Sequence, residues 1–311
     1  SMGFGFTLFL ASQGWTSRRA RRFCELALLL PNMIPPLFLL LSLLSWVTPW
    51  MAFPYGLGAV IFAHVLLNGG LVAISFDRLV HSRAGLMAET AWVLGASRTR
   101  FWLQVAWPLL RADFACIFLF VFSLCFTSFS IPLILGGAHK ATLEVANFDI
   151  LRSEGRWDKA VILAGLQSAV LFALAMLLPQ SFFPRRPARR ALEFLALKDL
   201  KYLVFVPAAI VTGGWFVGLA VALQAKAQVG LNGVDAFLTT LALGMAVGLF
   251  HLTLFLLAAY VLPHERLTRF LNGYLAPSSV ITAFALLLLP GEGAGVGFLK
   301  LVLALTLISF P

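Results

Sequence analysis

Long runs of apolar residues alternate along this chain with short polar connections. Most of the nine runs are close to the roughly 20 residues that a helix needs to cross the hydrocarbon layer of a membrane. A span in lipid must satisfy its own backbone hydrogen bonds, and the weak alternation of polar and apolar residues does not suit a β-barrel, so we predict helices. The runs are Met2–Trp15, Cys24–Val47, Tyr55–Ser75, Phe114–Leu135, Ala160–Leu178, Tyr202–Leu223, Ala236–Leu262, Leu271–Pro290 and Val296–Phe310.

Composition and charge support a membrane protein. The chain of 311 residues is 60% hydrophobic and 12% charged, whereas about 25% of the residues in soluble domains are charged. The net charge of +10 comes mostly from basic residues in short connections, and no basic stripe carries interleaved aromatic residues on which bases could stack. We therefore predict an all-α polytopic membrane protein that contacts lipid and binds no nucleic acid.

The distribution of Lys and Arg predicts the orientation. If the first run starts outside and the runs alternate, the inside connections hold most of the 23 Lys and Arg residues. The opposite assignment places that surplus outside, against the positive-inside rule. The connection from Ser82 to Leu110 is therefore predicted to lie in the cytoplasm.

That connection carries a specific spacing of residues. It reads Glu89-Thr90-Ala91, three residues, Gly95, nine residues and then Val105-Ala106-Trp107-Pro108. This resembles the cytoplasmic EAA loop of ABC importer permeases, whose pattern is EAA-x3-G-x9-I-x-L-P. The spacing matches at every position, and the residue types depart at Thr90, Val105 and Trp107.

In that family the short helix of the loop docks into a groove on the ATPase subunit. The resemblance implies that this chain is the transmembrane domain of a type I importer in the bacterial inner membrane. It places the ATPase contact on Ala91–Ser97, with Glu89 and Gly95 fixing the shape of the loop. The candidate coupling residues are Glu89, Thr90, Ala91, Gly95, Ala96, Ser97 and Pro108.

The residues of this loop also predict its local structure. We expect a short helix from about Ala84 to Leu94 that ends at Gly95, because glycine tolerates the left-handed conformation common at helix ends. A second helix is expected from about Thr99, with Pro108 ending or kinking it. An amphipathic helix that rests on the bilayer surface is the alternative interpretation of the same pattern.

A second stretch, after the run Phe114–Leu135, has Gly136-Gly137, Thr142, Glu144 and an amphipathic segment that extends to about Arg152. It resembles the outside segment of fused two-half permeases for thiamine and for ferric iron. The resemblance makes those solutes the expected substrates, and it implies that a periplasmic binding protein meets Lys140, Glu144, Asp149 and Arg152. A solvated helix over the pore mouth is the alternative.

An internal repeat predicts two permease halves. An Arg-Phe pair at the end of a basic connection precedes a proline-broken run twice, at Arg22-Phe23 with Pro31 and at Arg269-Phe270 with Pro277. Repeats are common in transporters, where the solute path lies at the interface between them. We predict a first half at residues 1–179 with about five spans, a basic cytoplasmic linker at 180–201, and a second half at 202–311 with about four spans. Both halves are expected to be incomplete, the second ending before its own EAA-like loop.

Prolines are the candidates for lining the solute path. Broken helices at membrane depth are tolerated where they face protein or a water-filled cavity. The residues in question are Pro31, Pro35, Pro36 and Pro277, and packing kinks without any role in the path are the alternative.

No chemical active site is expected. The chain lacks HExxH, GxxxxGK[ST] and GxSxG motifs, and its three cysteines have no metal-ligand spacing, so we predict no catalytic residue, no metal and no cofactor bound by this chain. The resemblance implies that ATP and Mg²⁺ bind a separate ATPase, two copies of which would serve a full-length fused permease. An ion-gradient-driven transporter is the alternative. It should have a charged residue within the membrane on its coupling path, whereas the acidic residues between Cys24 and Leu135 lie at or beyond the cytoplasmic ends of the predicted spans. They are Glu25, Asp77, Glu89 and Asp113.

Overall fold

The chain folds into helices joined by short connections. The computed structural model describes residues 1–48, 50–52, 54–137, 142–176, 195–224, 231–261, 296–300 and 302–303. In that part of the chain every regular element is helical. The helices are α1 Met2–Ser12, α2 Arg18–Met33, α3 Pro36–Val47, α4 Leu57–Leu79, α5 Gly85–Val93, α6 Arg98–Phe101, α7 Trp107–Phe126, α8 Ser130–Leu135, α9 Leu143–Asp149, α10 Trp157–Met176, α11 Val206–Gln224 and α12 Leu231–Val261.

Wider and tighter helical turns connect several of these helices. π-Helical turns follow α4, α6 and α9, and a 3₁₀ helix precedes α11. They are Val80–Ala84, Trp102–Ala106, Ile150–Glu154 and Lys198–Phe205.

Four helical segments are long and apolar enough to cross a membrane. They are Leu57–Ala84, Arg98–Phe126, Trp157–Leu174 and Lys198–Val221, among the described residues. α2 and α3 together form a fifth candidate span that bends by 96° at its break. The prediction of an all-α polytopic membrane protein is confirmed.

The break between α2 and α3 lies at Ile34 and Pro35. Ile34 is extended, with φ −92° and ψ 138°, because a following proline disfavours the helical conformation. Pro36 starts α3, a position where the missing N–H has no helical partner in any case. Pro31 lies inside α2 and does not end it, so Pro31 was wrongly predicted to be one of the breaks.

The predicted run Phe114–Leu135 is also interrupted. α7 ends at Phe126, residues 127–129 are not helical, and α8 follows. Pro132 explains the interruption, because in a continuous helix its ring would clash with the carbonyl of Ser128, four residues earlier. Thr127 ends the preceding helix with its hydroxyl donating to the Ser123 carbonyl at 2.9 Å.

Residues 1–140 and 178–225 form one compact unit. Within it α1 and α2 pack along α4, and α11 packs along α3. Two of these contacts bring backbones together, because a Cβ on Gly70 would overlap the backbone of Leu28 and one on Gly214 would overlap that of Ser42. Small residues allow such close helix packing inside membranes, where it replaces hydrophobic driving force.

Residues 141–177 and 226–311 form the other unit. There α9 and the π-helical turn that follows it pack against α10. Most of the predicted linker and the run Leu271–Pro290, with Pro277, lie outside the described residues. The division of the sequence into two repeated halves stays a prediction.

Candidate functional site

The loop between α4 and α7 contains a short helix with a well-defined end. α5 stops at Val93, and Gly95 has φ +74°. The N–H of Gly95 donates to the Trp92 carbonyl at 2.9 Å, and the N–H of Ala96 donates to the Ala91 carbonyl at 2.9 Å. These two bonds are those of a Schellman motif, which needs a left-handed residue at this position. The predicted helix end at Gly95 is confirmed.

Ser97 starts the second helix of the loop. It is extended, with φ −69° and ψ 157°, and its hydroxyl accepts a hydrogen bond from the N–H of Arg100 at 3.3 Å. A serine in this N-cap position satisfies one of the free donors of the first helical turn. Only residues 94–97 therefore separate two helices whose facing ends are both capped.

Pro108 does not end the second helix. It lies in the first turn of α7, directly after the π-helical turn Trp102–Ala106, and the helical segment continues to Phe126. Proline in a helix interior removes one backbone bond and crowds the carbonyl four residues earlier. The wider π turn accommodates that crowding, so of the two predicted outcomes the helix end at Pro108 is wrong, and a kink there stays a prediction.

Alanines hold the loop against the body of the first unit. Ala84 and Ala88 are fully buried in the same cluster as Phe101 and Ala106, and Ala91 packs against that cluster. The two legs of the loop are therefore packed together through small side chains on α5.

The tip of the loop is apolar and exposed. Trp92, Val93 and Leu94 are 58%, 82% and 79% exposed, and we call these three residues the loop tip. Glu89, Thr90 and Ser97 are also exposed, whereas Ala96 is half-buried. Of the predicted coupling residues before Pro108, Ala91 and Ala96 support the loop from within, and the others lie on its surface.

Two groups of charged side chains lie at the base of the loop, and the sequence interpretation missed both. Arg83 forms an ion pair of 3.2 Å with the buried Asp113, which joins the two legs. Asp77, near the end of α4, accepts a hydrogen bond from Gln13 at 2.6 Å and pairs with Arg21 at 3.2 Å. Glu, Asp and Arg near the ends of apolar runs are the signal for such pairs, but the partners are distant in sequence.

The predicted contact surface for a binding protein divides into a buried and an exposed part. Glu144 is fully buried, and its Oε1 accepts a hydrogen bond from Gln167 of α10 at 3.1 Å. Asn147, one turn further along α9, is fully buried as well. Because α9 turns this polar face toward the interior, Glu144 is wrongly placed in the predicted contact surface.

Asp149 and Arg152 are exposed, as contact with a partner requires, and Lys140 lies outside the described residues. The segment ends at Gly155, with φ +62°. Beyond it Arg156 forms an ion pair with Asp158 at 2.8 Å, and the hydrogen bond to that carboxylate raises the pKa of Arg156 above its ordinary value.

The remaining predicted positions are prolines. Pro35 and Pro36 are exposed at the break and Pro31 is buried, and Pro277 lies outside the described residues. Beside the break, the amide of Asn32 donates to the Leu67 carbonyl. Among the described residues, no group of three or more His, Cys, Asp or Glu side chains is arranged to hold a metal ion.

Curated proteins with similar sequences are transport permeases. The chain is 31% identical over 168 residues to the thiamine transport system permease protein of Salmonella typhimurium, an alignment that covers 50% of this chain and 31% of that protein. It is 33% identical over 129 residues to the corresponding protein of Haemophilus influenzae, covering 40% and 24%. A protein of the same organism named as a ferric transport system permease is 27% identical over 198 residues, covering 58% and 31%.

No family model matches the chain, and no solved structure matches it. The chain spans about a third of the length of the thiamine permease of Salmonella typhimurium. The apolar helices indicate a multi-pass membrane protein, and the relatives it resembles are named as transport permeases. The resemblance to ABC importer permeases, and to the thiamine and ferric iron permeases in particular, is therefore confirmed.

Proposed function

We propose that this chain is the membrane-spanning permease, or a part of it, of an ATP-driven ABC importer in the bacterial inner membrane. A periplasmic binding protein delivers the solute, and the permease passes it to the cytoplasm. ATP and Mg²⁺ bind a separate ATPase, two copies of which serve a permease with two fused halves. The single observation that carries this proposal is the loop tip, an exposed apolar surface on a rigid helix between two candidate spans.

The packing of the loop supports ATPase docking at the tip. An exposed apolar cluster on an ordered segment is typical of a surface that binds another protein. Because α5 is capped at its end and packed through Ala84 and Ala88, a force on the tip moves the whole helix and its two legs. A lever of this kind is what an importer needs to turn ATP-driven motion of one subunit into motion of another.

Charge indicates the chemistry of the docking partner. Arg98 and Arg100 follow the tip and are exposed, and the guanidinium of Arg100 donates to Gln104 at 3.1 Å. We therefore expect the ATPase groove to be apolar at its centre, where Trp92 enters, and acidic on the side that faces the two arginines. Complementary charge of this kind sets the orientation and the rate of association.

Co-purification with the ATPase encoded beside the full-length permease tests the proposal. Val93→Asp with Leu94→Asp places two charges on the tip, and Gly95→Pro removes the left-handed residue that ends α5. We expect both variants to lose the ATPase, because a central apolar contact typically contributes about 2 kcal/mol or more to binding. Glu89→Arg should weaken the complex, since it changes the charge next to the tip.

Trp50 and Met51 offer a matched control. They are 83% and 64% exposed in the connection before α4, at the opposite end of that helix from the loop. The double change Trp50→Asp with Met51→Asp should leave ATPase binding intact. Undiminished binding by the tip variants, or no ATPase in the wild-type preparation, contradicts the proposal and directs attention to transport driven by an ion gradient.

Thiamine and ferric iron are the proposed substrates. Support comes from the names of the relatives, two thiamine permeases and one ferric permease. Uptake of radiolabelled thiamine and of radioactive iron by cells with and without the full-length permease separates the two. Loss of uptake for one solute alone identifies it, and unchanged uptake of both overturns the substrate proposal.

A further inference from the structure

Side chains from three elements converge on one carboxylate at the base of the loop. Gln13 Nε2 lies 2.6 Å from Asp77 Oδ1, and Arg21 lies 3.2 Å from the same oxygen. His81 Nδ1 lies 3.3 Å from Asp77 Oδ1 and 2.7 Å from the Asp77 carbonyl oxygen. Gln13 and His81 are buried, and the side chains of Arg21 and Asp77 are about a fifth exposed. We call these four residues the Asp77 junction.

The Asp77 junction connects the loop to the broken span. Asp77 lies two residues before the end of α4, and the π-helical turn with His81 leads directly into α5. Arg21 belongs to the first turns of α2, the helix that ends at the 96° break before α3. Gln13 directly follows α1. The loop leg and the broken span therefore meet at a single carboxylate.

The interface around the junction differs from the rest of the contact between α1 and α4. Leu8, Phe9 and Val72 are fully buried in the apolar cluster that α1 and α4 share. Away from the junction, the hydroxyl of Ser1, just before α1, donates to the His64 carbonyl at 3.2 Å. Beside Asp77 there is a small cavity of about 20 Å³, lined by Ser12, Arg21, Cys24, Glu25 and Asp77 among others. A cavity of this size accommodates about one water molecule when polar groups line it.

Stability alone does not account for charges at this position. Replacing a buried ion pair with apolar side chains of similar volume is often neutral or stabilising. Charged pairs are instead specific in direction and distance, and removing one member leaves the other without its partner. A junction of this kind holds two helices in one relative position more strictly than apolar packing does.

We propose that Asp77 is a positioning residue that fixes α2 to the base of the loop, so that movement of the loop tip reaches the break at Ile34 and Pro35. This inference rests on the proposed function, because it assigns the junction a place in the coupling between ATPase and permease. Asp77 itself touches neither the ATPase nor the solute in this scheme.

Cysteine labelling in the complex of full-length permease and ATPase tests this assignment. Ile34→Cys is introduced after the native cysteines, including Cys24, Cys116 and Cys125, have been changed to alanine. The rate of maleimide labelling is compared without nucleotide and after trapping with ATP and vanadate. We expect the wild-type junction to give a rate that depends on nucleotide, and Asp77→Asn to lose that dependence while ATPase binding and ATP hydrolysis persist.

Two further variants separate positioning from folding. Asp77→Glu keeps the charge and should restore part of the nucleotide dependence, whereas Asp158→Asn breaks an exposed ion pair elsewhere and should behave like the wild type. If Asp77→Asn fails to accumulate, Gln13→Leu removes the shortest contact and keeps the ion pair, and it should reduce the nucleotide dependence.

The outcomes distinguish this inference from the proposed function. Nucleotide-dependent labelling that survives in Asp77→Asn, or in Gln13→Leu where that variant replaces it, overturns the positioning role and leaves the ATPase complex in place. A wild-type complex in which labelling at position 34 ignores nucleotide overturns it too. Absence of any ATPase in the wild-type preparation instead contradicts the proposed function, and the inference falls with it.

Discussion

Two connections of this chain are built from the same kinds of structural element but expose different side chains, apolar in one and charged in the other. The loop after α4 and the segment from the start of α9 to Gly155 each contain a short helix, a π-helical turn and a glycine with positive φ, Gly95 and Gly155. In the loop, alanines are buried and the tip is apolar and exposed. In the other segment, Glu144 and Asn147 are buried, and the residues that follow are charged and exposed.

The two surfaces differ in how well water solvates them. Exposed charges after α9 are solvated and form local pairs, such as Arg156 with Asp158 at 2.8 Å, so water is a sufficient environment for them. Water solvates the apolar side chains of the loop tip poorly, and burying their surface against another molecule would be favourable. Similar backbone elements therefore expose apolar side chains in one place and charged side chains in the other, and the apolar surface is the one to which the proposed function assigns docking.

The largest expected effect is a loss of thermal stability when the ion pair between Arg83 and Asp113 is broken, compared with the exposed pair of Arg156 and Asp158. Asp113→Asn leaves Arg83 without the carboxylate that lies 3.2 Å away, and loss of one member of a buried pair typically costs about 3 kcal/mol or more. We expect the thermal midpoint of the purified permease to fall by several degrees. Asp158→Asn is the matched change in an exposed pair and should leave the midpoint unchanged, because such pairs contribute little.

Equal midpoints for the two variants would show that Arg83 and Asp113 do not hold the legs of the loop together. Arg83→Gln with Asp113→Asn refines the test, since removing both charges should restore part of the midpoint that Asp113→Asn loses.

The loop was predictable from sequence because its signals are local. Gly95 and the residue spacing around it lie within one short stretch, and a glycine after an apolar helical segment is typical of a helix end. Ala84 and Ala88, four residues apart, lie on one face of the helical segment and are buried together. The docking role of the loop stays a prediction that rests on the resemblance and on the exposed tip.

Features that depend on distant or competing contacts were not predictable in this way. Glu144 lies between Lys140 and the charged residues Asp149 and Arg152, which favoured an exposed helix, but its side chain is buried and accepts a hydrogen bond from Gln167 of another helix. Pro108 and Pro132 have opposite outcomes, since a π-helical turn accommodates the first and the helix is interrupted before the second. A proline in an apolar run does not by itself determine which of these occurs.

An intermediate effect is expected at the two glycines. A side chain at positive φ costs about 1–2 kcal/mol, so Gly95→Ala (φ +74°) and Gly155→Ala (φ +62°) should destabilise their own segments by similar amounts. Only Gly95→Ala should weaken ATPase binding, because only that glycine shapes the loop tip. Titration of the two detergent-purified permease variants with the ATPase measures how far each change weakens binding relative to the wild type. Equal loss of ATPase binding in the two variants would assign a docking role to both connections and remove the contrast between them.

The smallest expected effect has the opposite sign. Asn147 is fully buried, and neither its amide nitrogen nor its carbonyl oxygen has a hydrogen-bond partner among the described residues. Burying an amide without partners costs about 1–3 kcal/mol. Leucine has the same branched arrangement of four side-chain heavy atoms, but its methyl groups are larger and offset part of that gain, so Asn147→Leu should raise the thermal midpoint only slightly. Ser42 also has a buried hydroxyl oxygen without a hydrogen-bond partner, in α3 of the first unit, and Ser42→Ala is the matched change there.

If Asn147→Leu raises the midpoint and abolishes solute uptake, the buried amide is kept for transport at the expense of stability, as functional sites often are. If uptake is unchanged, the polar face of α9 is a packing feature, and the exposed residues Asp149 and Arg152 remain candidates for partner contact together with Lys140, which lies outside the described residues.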